Sequence, residues 1–192
     1  MNNTSIDFFR LTSYAWMILF LYWLYTSMKT KVTIKKQNYP SRSLHLILMA
    51  LAFTLVYGNY SRLGFLGKRF LPHENWISYL GILINIGGII FAIMARGWLG
   101  DNWSAIVTIK KDHELVRGGP YSITRHPIYT GFLFGLTGAV IILGEIRGLI
   151  AILILFIAIQ IKTITEEKFM RKTFAEYNDY SKHTKKLIPF IY

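Results

Sequence analysis

Asn75-Trp76-Ile77-Ser78-Tyr79-Leu80-Gly81-Ile82-Leu83-Ile84-Asn85-Ile86-Gly87-Gly88-Ile89-Ile90-Phe91-Ala92-Ile93-Met94-Ala95 runs for 21 residues between Glu74 and Arg96 without one charge. A bilayer core about 30 Å thick takes roughly 20 helical residues, so this stretch has the length of one crossing. Four more uncharged runs flank it: 18 residues between Arg10 and Lys29, 19 between Arg42 and Arg62, 19 between Arg125 and Glu145, and 14 between Arg147 and Lys162. The fifth is short, but uncharged Thr163 and Thr165 extend it and Lys162 can snorkel toward a headgroup. Gly144-Glu145-Ile146-Arg147-Gly148 between the last two reads as a tight helical hairpin. The expected fold is all-α: one polytopic membrane domain over 1–192 with five transmembrane helices at about 11–28, 43–61, 76–95, 127–144 and 147–166. A polar C-terminal segment, 167–192, follows. The first run is too long for a cleavable signal, follows Asp7 and lacks a small-residue cleavage site.

The chain has 192 residues, is 53% hydrophobic and 17% charged, and carries a formal charge of +12. So much apolar sequence excludes a disordered chain. Charge in blocks between oily runs argues against a nucleic-acid binder. With no cysteine there are no disulfides, zinc–thiolate sites, iron–sulfur clusters or cysteine nucleophile, and no metal site is expected. Five crossings put the 29–43 loop, the 96–127 segment and the tail from Lys162 on one side, with 17 of the 22 Lys and Arg. The positive-inside rule then sets the N-terminus outside and the C-terminus in the cytoplasm. The 58–77 loop runs against this, with Arg62, Lys68 and Arg69 against Glu74. Gly81, Gly87, Gly88, Ala92 and Ala95 in the third run are small residues that let helices approach closely. Trp76, Tyr79, Trp98 and Trp103 stand near run ends, where interfacial aromatics belong.

Two segments on the basic side are too rich in polar and aromatic groups for plain connectors. In His113–Gly131, Gly118-Gly119-Pro120 is a turn. Thr124-Arg125-His126-Pro127 opens the fourth helix, with Pro in the first turn and N–H groups that favour an anion. Arg125 and His126 are either headgroup anchors or site residues. The second segment starts at Thr165-Glu166-Glu167 and continues through Arg171, Phe174, Tyr177 and Tyr180 to Leu187 and Pro189. Carboxylates oppose the dipole at a helix C-terminus. Either the helix continues, giving i,i+4 pairs Lys162–Glu166 and Glu167–Arg171, or the acids are held for a bound cation.

At these residues the chain resembles the isoprenylcysteine carboxyl methyltransferase family, within the membrane methyltransferases that include the phospholipid N-methyltransferases. The carriers are His113, Leu115, Val116, Gly119, Tyr121, Arg125, His126, Pro127, Tyr129 and Gly131. A second block follows: Glu166, Glu167, Phe174, Tyr177, Tyr180 and Ile188-Pro189-Phe190-Ile191. The resemblance covers about 96–192. It implies a transferase using S-adenosyl-L-methionine, with a cytoplasmic pocket formed by 96–131 and roofed by the C-terminal segment. The implied cofactor contacts are His113, Leu115, Val116, Gly119, Tyr121, His126, Pro127, Tyr129 and Glu167. The implied acceptor is the carboxylate of a prenylated cysteine or a similar lipid-like molecule. Some members carry an Arg where this chain has Thr163, so Lys162, Arg125 or Arg171 would hold the acceptor carboxylate. Glu167, Arg171, Arg125 and Lys162 are therefore the candidate catalytic residues.

The residues suit such a reaction. No Gly-rich strand–helix turn is present, so loops and helix ends must hold the cofactor. A carboxylate acceptor is already ionised at neutral pH, its ordinary pKa being about 4, and needs no base. Two alternatives share the fold. A phospholipid amine would need a base, for which Glu166 or His126 could serve. An NADPH-dependent sterol reductase would need more Lys and Arg near 108–125 than Lys110, Lys111 and Arg117. A transporter would carry midplane charges and internal repeats, and the runs show neither.

Overall fold

The computed structural model describes residues 3–28, 33–36, 41–59, 64–100, 108–110 and 115–192. The architecture is helical: α1 Asn3–Ser27, α2 Ser41–Tyr57, α3 Asn75–Leu99, α4 Pro120–Ile123, α5 Pro127–Leu143, α6 Ile146–Thr173 and α7 Tyr177–His183. Each of the five uncharged runs falls largely within one long helix. One feature departs from an all-α reading. Thr33–Lys36 (β1) pairs antiparallel with Thr108–Lys110 (β2), joining the first basic loop to the segment after α3. That ribbon puts both loops at the same end of the bundle.

Helices α3 and α6 are long and apolar enough to cross a membrane, each with mean hydropathy 2.2; Ser43–Tyr57 and Pro127–Leu143 are apolar but shorter. The outside of the bundle is oily. Leu83 is 71% exposed, Leu24 65%, Leu21 58% and Leu153 58%. An apolar exterior on several faces suits lipid rather than water. Inside, Trp16 meets Phe53 and Phe132 edge-on at ring separations of 4.7 and 5.4 Å. Leu19, Leu136, Leu155 and Leu187 complete this core.

The tightest seam joins α3 to α5. Gly81 and Gly88 of α3 face Gly131, Gly135 and Gly138 of α5, backbone against backbone. A Cβ on Gly131 would stand 2.5 Å from Gly88 O and 2.7 Å from Ala92 Cβ. Gly87, grouped with these residues on sequence, is not part of the seam, for nothing lies within 4 Å of its Cβ position. Asn85 lies fully buried in the same seam and donates through Nδ2 to Gly135 O at 2.6 Å.

At the end away from the ribbon two arginines turn inward, Arg69 of the 58–77 loop and Arg147 of α6. The Arg147 guanidinium is buried, donating to the last carbonyls of α2, Leu55 O at 2.9 Å and Gly58 O at 2.6 Å, and pairing with Glu145 at 2.6 Å. Arg69 does the same for α5 through Leu143 O. Both cations complement helix C-termini, so they are internal caps rather than surface charge. Gly144 takes φ +64° to close the α5–α6 hairpin, and a side chain there would strike the Arg69 guanidinium.

Candidate active site

α6 does not stop at its two acids. It runs to Thr173, with Arg171 and Lys172 in its last turn, so Glu166 and Glu167 sit nearly two turns inside it and the dipole conflict disappears. Both i,i+4 pairs form, Lys162–Glu166 at 3.4 Å and Arg171–Glu167 at 3.6 Å. They are only part of what the acids do. Arg125 Nε donates to Glu167 Oε1 at 2.8 Å, with both side chains 12% exposed. The His126 ring stands between the acids, Nδ1 at 3.5 Å from Glu166 Oε2 and Nε2 at 3.4 Å from Glu167 Oε1. The Tyr129 hydroxyl donates to Glu166 Oε1 at 3.1 Å. The two sequence blocks therefore meet side chain to side chain.

The C-terminal segment is tied across the start of α5. Arg125 N donates to Lys185 O at 2.8 Å and His126 N to Lys186 O at 3.2 Å. Thr130 Oγ1 donates to Leu187 O at 2.6 Å. The Arg125 guanidinium reaches Ser181 O at 3.0 Å and also Thr184 O. The Tyr180 hydroxyl donates to Tyr121 O at 2.6 Å. Burial raises the phenol pKa of Tyr121, Tyr177 and Tyr180, the last to about 12, so all three are neutral aromatic walls at physiological pH.

Among the sequence-expected residues, Arg125, His126, Tyr129, Lys162, Glu166, Glu167 and Arg171 come together. Pro127 opens α5 and is buried; Tyr121 is buried beside α7. Gly119 takes φ +57° under the Trp98 indole, which a side chain would strike. Leu115 and Val116 are half-buried. His113 lies outside the described residues. One expectation is corrected. Arg125 is no ready cation for a substrate carboxylate, since its guanidinium already serves Glu167 and two backbone carbonyls.

Sequence reasoning passed over His45, Thr130, Gln160 and Lys186. His45 Nδ1 lies 2.9 Å from Ala158 O, tying α2 to α6 beside Lys162. Gln160 accepts from Lys186 Nζ at 2.7 Å and from the Tyr192 hydroxyl at 3.2 Å. Marking charges alone hid His45 and Gln160 inside uncharged runs. A second pass for His, Asn and Gln would have found them.

The model of the phospholipid methyltransferase family matches residues 76–177, which take in α3, α5, α6 and every carboxylate of this site. The chain belongs to the phospholipid methyltransferase family. It is 36% identical to the protein-S-isoprenylcysteine O-methyltransferase of Saccharomyces cerevisiae over 116 residues, 58% of this chain and 48% of that protein. It is 30% identical to the cobalt-zinc-cadmium resistance protein CzcN of Cupriavidus metallidurans over 119 residues, 59% of this chain and 51% of that one. The fold is similar to the solved eukaryotic intramembrane Ras methyltransferase ICMT (isoprenylcysteine carboxyl methyltransferase). The TM-score is 0.57 at 25% identity, over 81% of this chain and 54% of that one. The matches span about half the length of these relatives. The resemblance to the isoprenylcysteine carboxyl methyltransferases, first carried by motif residues, thus holds in sequence and fold. Among the described residues of this family member, no group of three His, Asp or Glu is placed to hold a metal ion.

The site of this phospholipid methyltransferase family member has the chemistry for a zwitterionic ligand. Among the described residues Glu167 Oε2 has only the loose Arg171 contact at 3.6 Å. His126 Nε2 is buried without a hydrogen bond, its 3.4 Å approach to Glu167 being poorly aligned. A buried ring nitrogen without a hydrogen bond is costly unless a ligand satisfies it. One carboxylate oxygen and one imidazole nitrogen thus stand ready for an ammonium and a carboxylate, flanked by aromatic rings.

Proposed function

We propose that this is a multi-pass membrane methyltransferase that uses S-adenosyl-L-methionine to methylate the carboxylate of a prenylated cysteine or a similar lipid-like carboxylate. The observation that carries the reading is the joining of the two blocks: Arg125 and His126 meet Glu166 and Glu167 under a C-terminal strap. When bound, S-adenosyl-L-methionine supplies a methyl group on a positively charged sulfur. Glu167 Oε2 would take its ammonium and His126 Nε2 its carboxylate. Tyr121, Tyr129, Leu115, Val116, Gly119 and Pro127 would line the remainder. Arg125 holds Glu167 and the strap in one unit and so keeps water from the carboxylates.

The protein need not remove a proton from an ionised acceptor, and no residue is assigned as base. Its residues position the acceptor and keep the site poor in water, where charge-neutralising transfer is favoured. Five crossings would put the ribbon, the strap and most Lys and Arg in the cytoplasm and the N-terminus outside. In that arrangement a prenyl tail would enter from the bilayer between helices.

The test offers labelled S-adenosyl-L-methionine with a farnesylated cysteine and with phosphatidylethanolamine, side by side, to purified protein. The expected label is on the farnesylated cysteine and released by alkali, as an ester would be. Label confined to the phospholipid amine overturns the acceptor. Failure to bind S-adenosylhomocysteine in calorimetry, with binding of NADPH instead, overturns the reaction.

A further inference from the structure

Lys186 lies where the C-terminal strap crosses α6. Its Nζ and the Tyr192 hydroxyl both donate to Gln160 Oε1, at 2.7 and 3.2 Å. Two donors on one oxygen fix the amide orientation. Gln160 Nε2 is therefore the other corner of the same amide, buried and without a hydrogen bond among the described residues. Among the described residues no carboxylate lies within ion-pair reach of Lys186 Nζ, whose hydrogen-bond acceptor is this neutral amide. Its ammonium packs 5.9 Å from the Tyr192 ring centre. Burial lowers its pKa, with Glu167 acting to raise it and Arg125 to lower it. A partly buried cation ordinarily has an anion beside it.

The other cations near the site are committed. Arg125 serves Glu167 and two carbonyls. Arg171 serves Asn178 at 2.7 Å, Ser181 and Glu167. Lys162 faces Glu166. Lys186 keeps two N–H groups and Gln160 Nε2 adds more, and these donors, joined through the Gln160 amide, have no further acceptor among the described residues. Gln160, Thr163 and Glu167 share one face of α6, and seven residues of helix separate the first from the last by about 10 Å. Thr163 is fully buried and bonded back to Gln160 O at 3.2 Å, so it cannot reach outward. Apolar side chains flank the donors: Phe156 against Tyr192, then Leu187 and Ile188 of the strap.

We infer that Lys186 Nζ and Gln160 Nε2 form the anion subsite that takes the carboxylate of the methyl acceptor. This rests on the proposed methyl transfer and adds the residue that selects the acceptor. The apolar flank suits a lipid-like molecule with one terminal carboxylate. A single ammonium grips less tightly than a guanidinium fork, which suits a carboxylate that must lose its charge during transfer.

The experiment measures binding of N-acetyl-S-farnesylcysteine and of its carboxamide to protein saturated with S-adenosylhomocysteine. The wild type should prefer the acid by about tenfold or more, as one charge-assisted hydrogen bond implies. Lys186→Met should erase that preference, leave S-adenosylhomocysteine affinity unchanged and raise KM for the acid more than it lowers kcat. Lys186→Arg should restore much of the preference. Gln160→Glu gives Lys186 a counter-ion, so it should erase the preference while raising thermal stability, which separates lost binding from misfolding. An unchanged preference in Lys186→Met overturns the inference and leaves the methyltransferase reading intact. So does a loss of phosphatidic acid binding with acid preference retained, which would assign the site to lipid phosphate. A wild type that binds S-adenosylhomocysteine but neither farnesylated ligand overturns the acceptor reading and this inference together.

Discussion

Gly87 and Gly88 are neighbours in sequence and opposite in environment, which makes them a direct test of the α3–α5 seam. A Cβ at Gly88 would collide with Gly135 N and lie 2.7 Å from Gly131 O and 2.9 Å from Gly135 Cα. All three are backbone atoms of α5, so no side chain can swing away and the helices must separate. Overpacking of this kind costs about 1–3 kcal/mol. At Gly87 the Cβ meets nothing within 4 Å, and Gly→Ala in a helix gains about 0.5–1 kcal/mol. Alanine's helix propensity favours both variants equally, so they should differ by the overpacking cost alone, about 1–3 kcal/mol. At roughly 2–4 °C of Tm per kcal/mol for a chain of this size, Gly88→Ala should melt at least about 2 °C below Gly87→Ala. The assay is a thermal melt of the detergent-solubilised protein at fixed detergent and scan rate. Equal Tm values, or a lower one for Gly87→Ala, would show that α3 meets α5 through a different face.

Three further substitutions probe the site and its opposite end. Glu167→Ala should weaken S-adenosylhomocysteine binding by about tenfold or more, as loss of a charged partner does, without unfolding the protein; unchanged affinity in calorimetry would leave Glu167 a structural ion-pair residue. Thr130→Val strands the Leu187 carbonyl, now 2.6 Å from the hydroxyl, at a cost of about 1–3 kcal/mol, and amide exchange should speed up across 184–188 before it does in α5. Arg147→Met leaves the Leu55 and Gly58 carbonyls uncapped and Glu145 without its 2.6 Å partner; it should lower Tm while leaving cofactor affinity unchanged, and a fall in affinity with no loss of Tm would refute the capping role.

What the sequence made legible follows from which signals are local. Charge-free runs mark helices because apolar length is a property of the chain alone. Their ends are less visible, since a helix can continue into polar sequence. α6 runs through Lys162, Glu166 and Glu167 to Thr173, and α1 begins at Asn3, ahead of Asp7. The ribbon of Thr33–Lys36 and Thr108–Lys110 joins segments some 70 residues apart, and neither strand shows the alternation that would announce it. The carboxylates and the Arg-His pair could be singled out because they border uncharged runs, although α6 continues nearly two turns past Glu166 and Glu167. The tie from Thr130 to Leu187 could not, for a threonine in an oily helix and a leucine carbonyl carry no mark of pairing before the chain folds back.

The same kind of residue does opposite work at the two ends of the bundle. At the end near Gly144, Arg69 and Arg147 spend their donors on helix-terminal carbonyls, with one acid, Glu145, beside Arg147. Backbone acceptors of that sort are permanent, and such a cluster has nothing left to offer a ligand. At the other end Glu166 and Glu167 gather Arg125, His126, Tyr129, Lys162 and Arg171, and the satisfaction is incomplete: His126 Nε2 and Gln160 Nε2 are buried without hydrogen bonds. Folding tolerates a buried donor without a partner only at a cost. Beside the carboxylates, His126 Nε2 is such a group, and a ligand there would return that cost as binding energy. Net charge alone marked which face the basic residues share; what their donors serve, backbone carbonyls at one end and carboxylates at the other, separates the two ends.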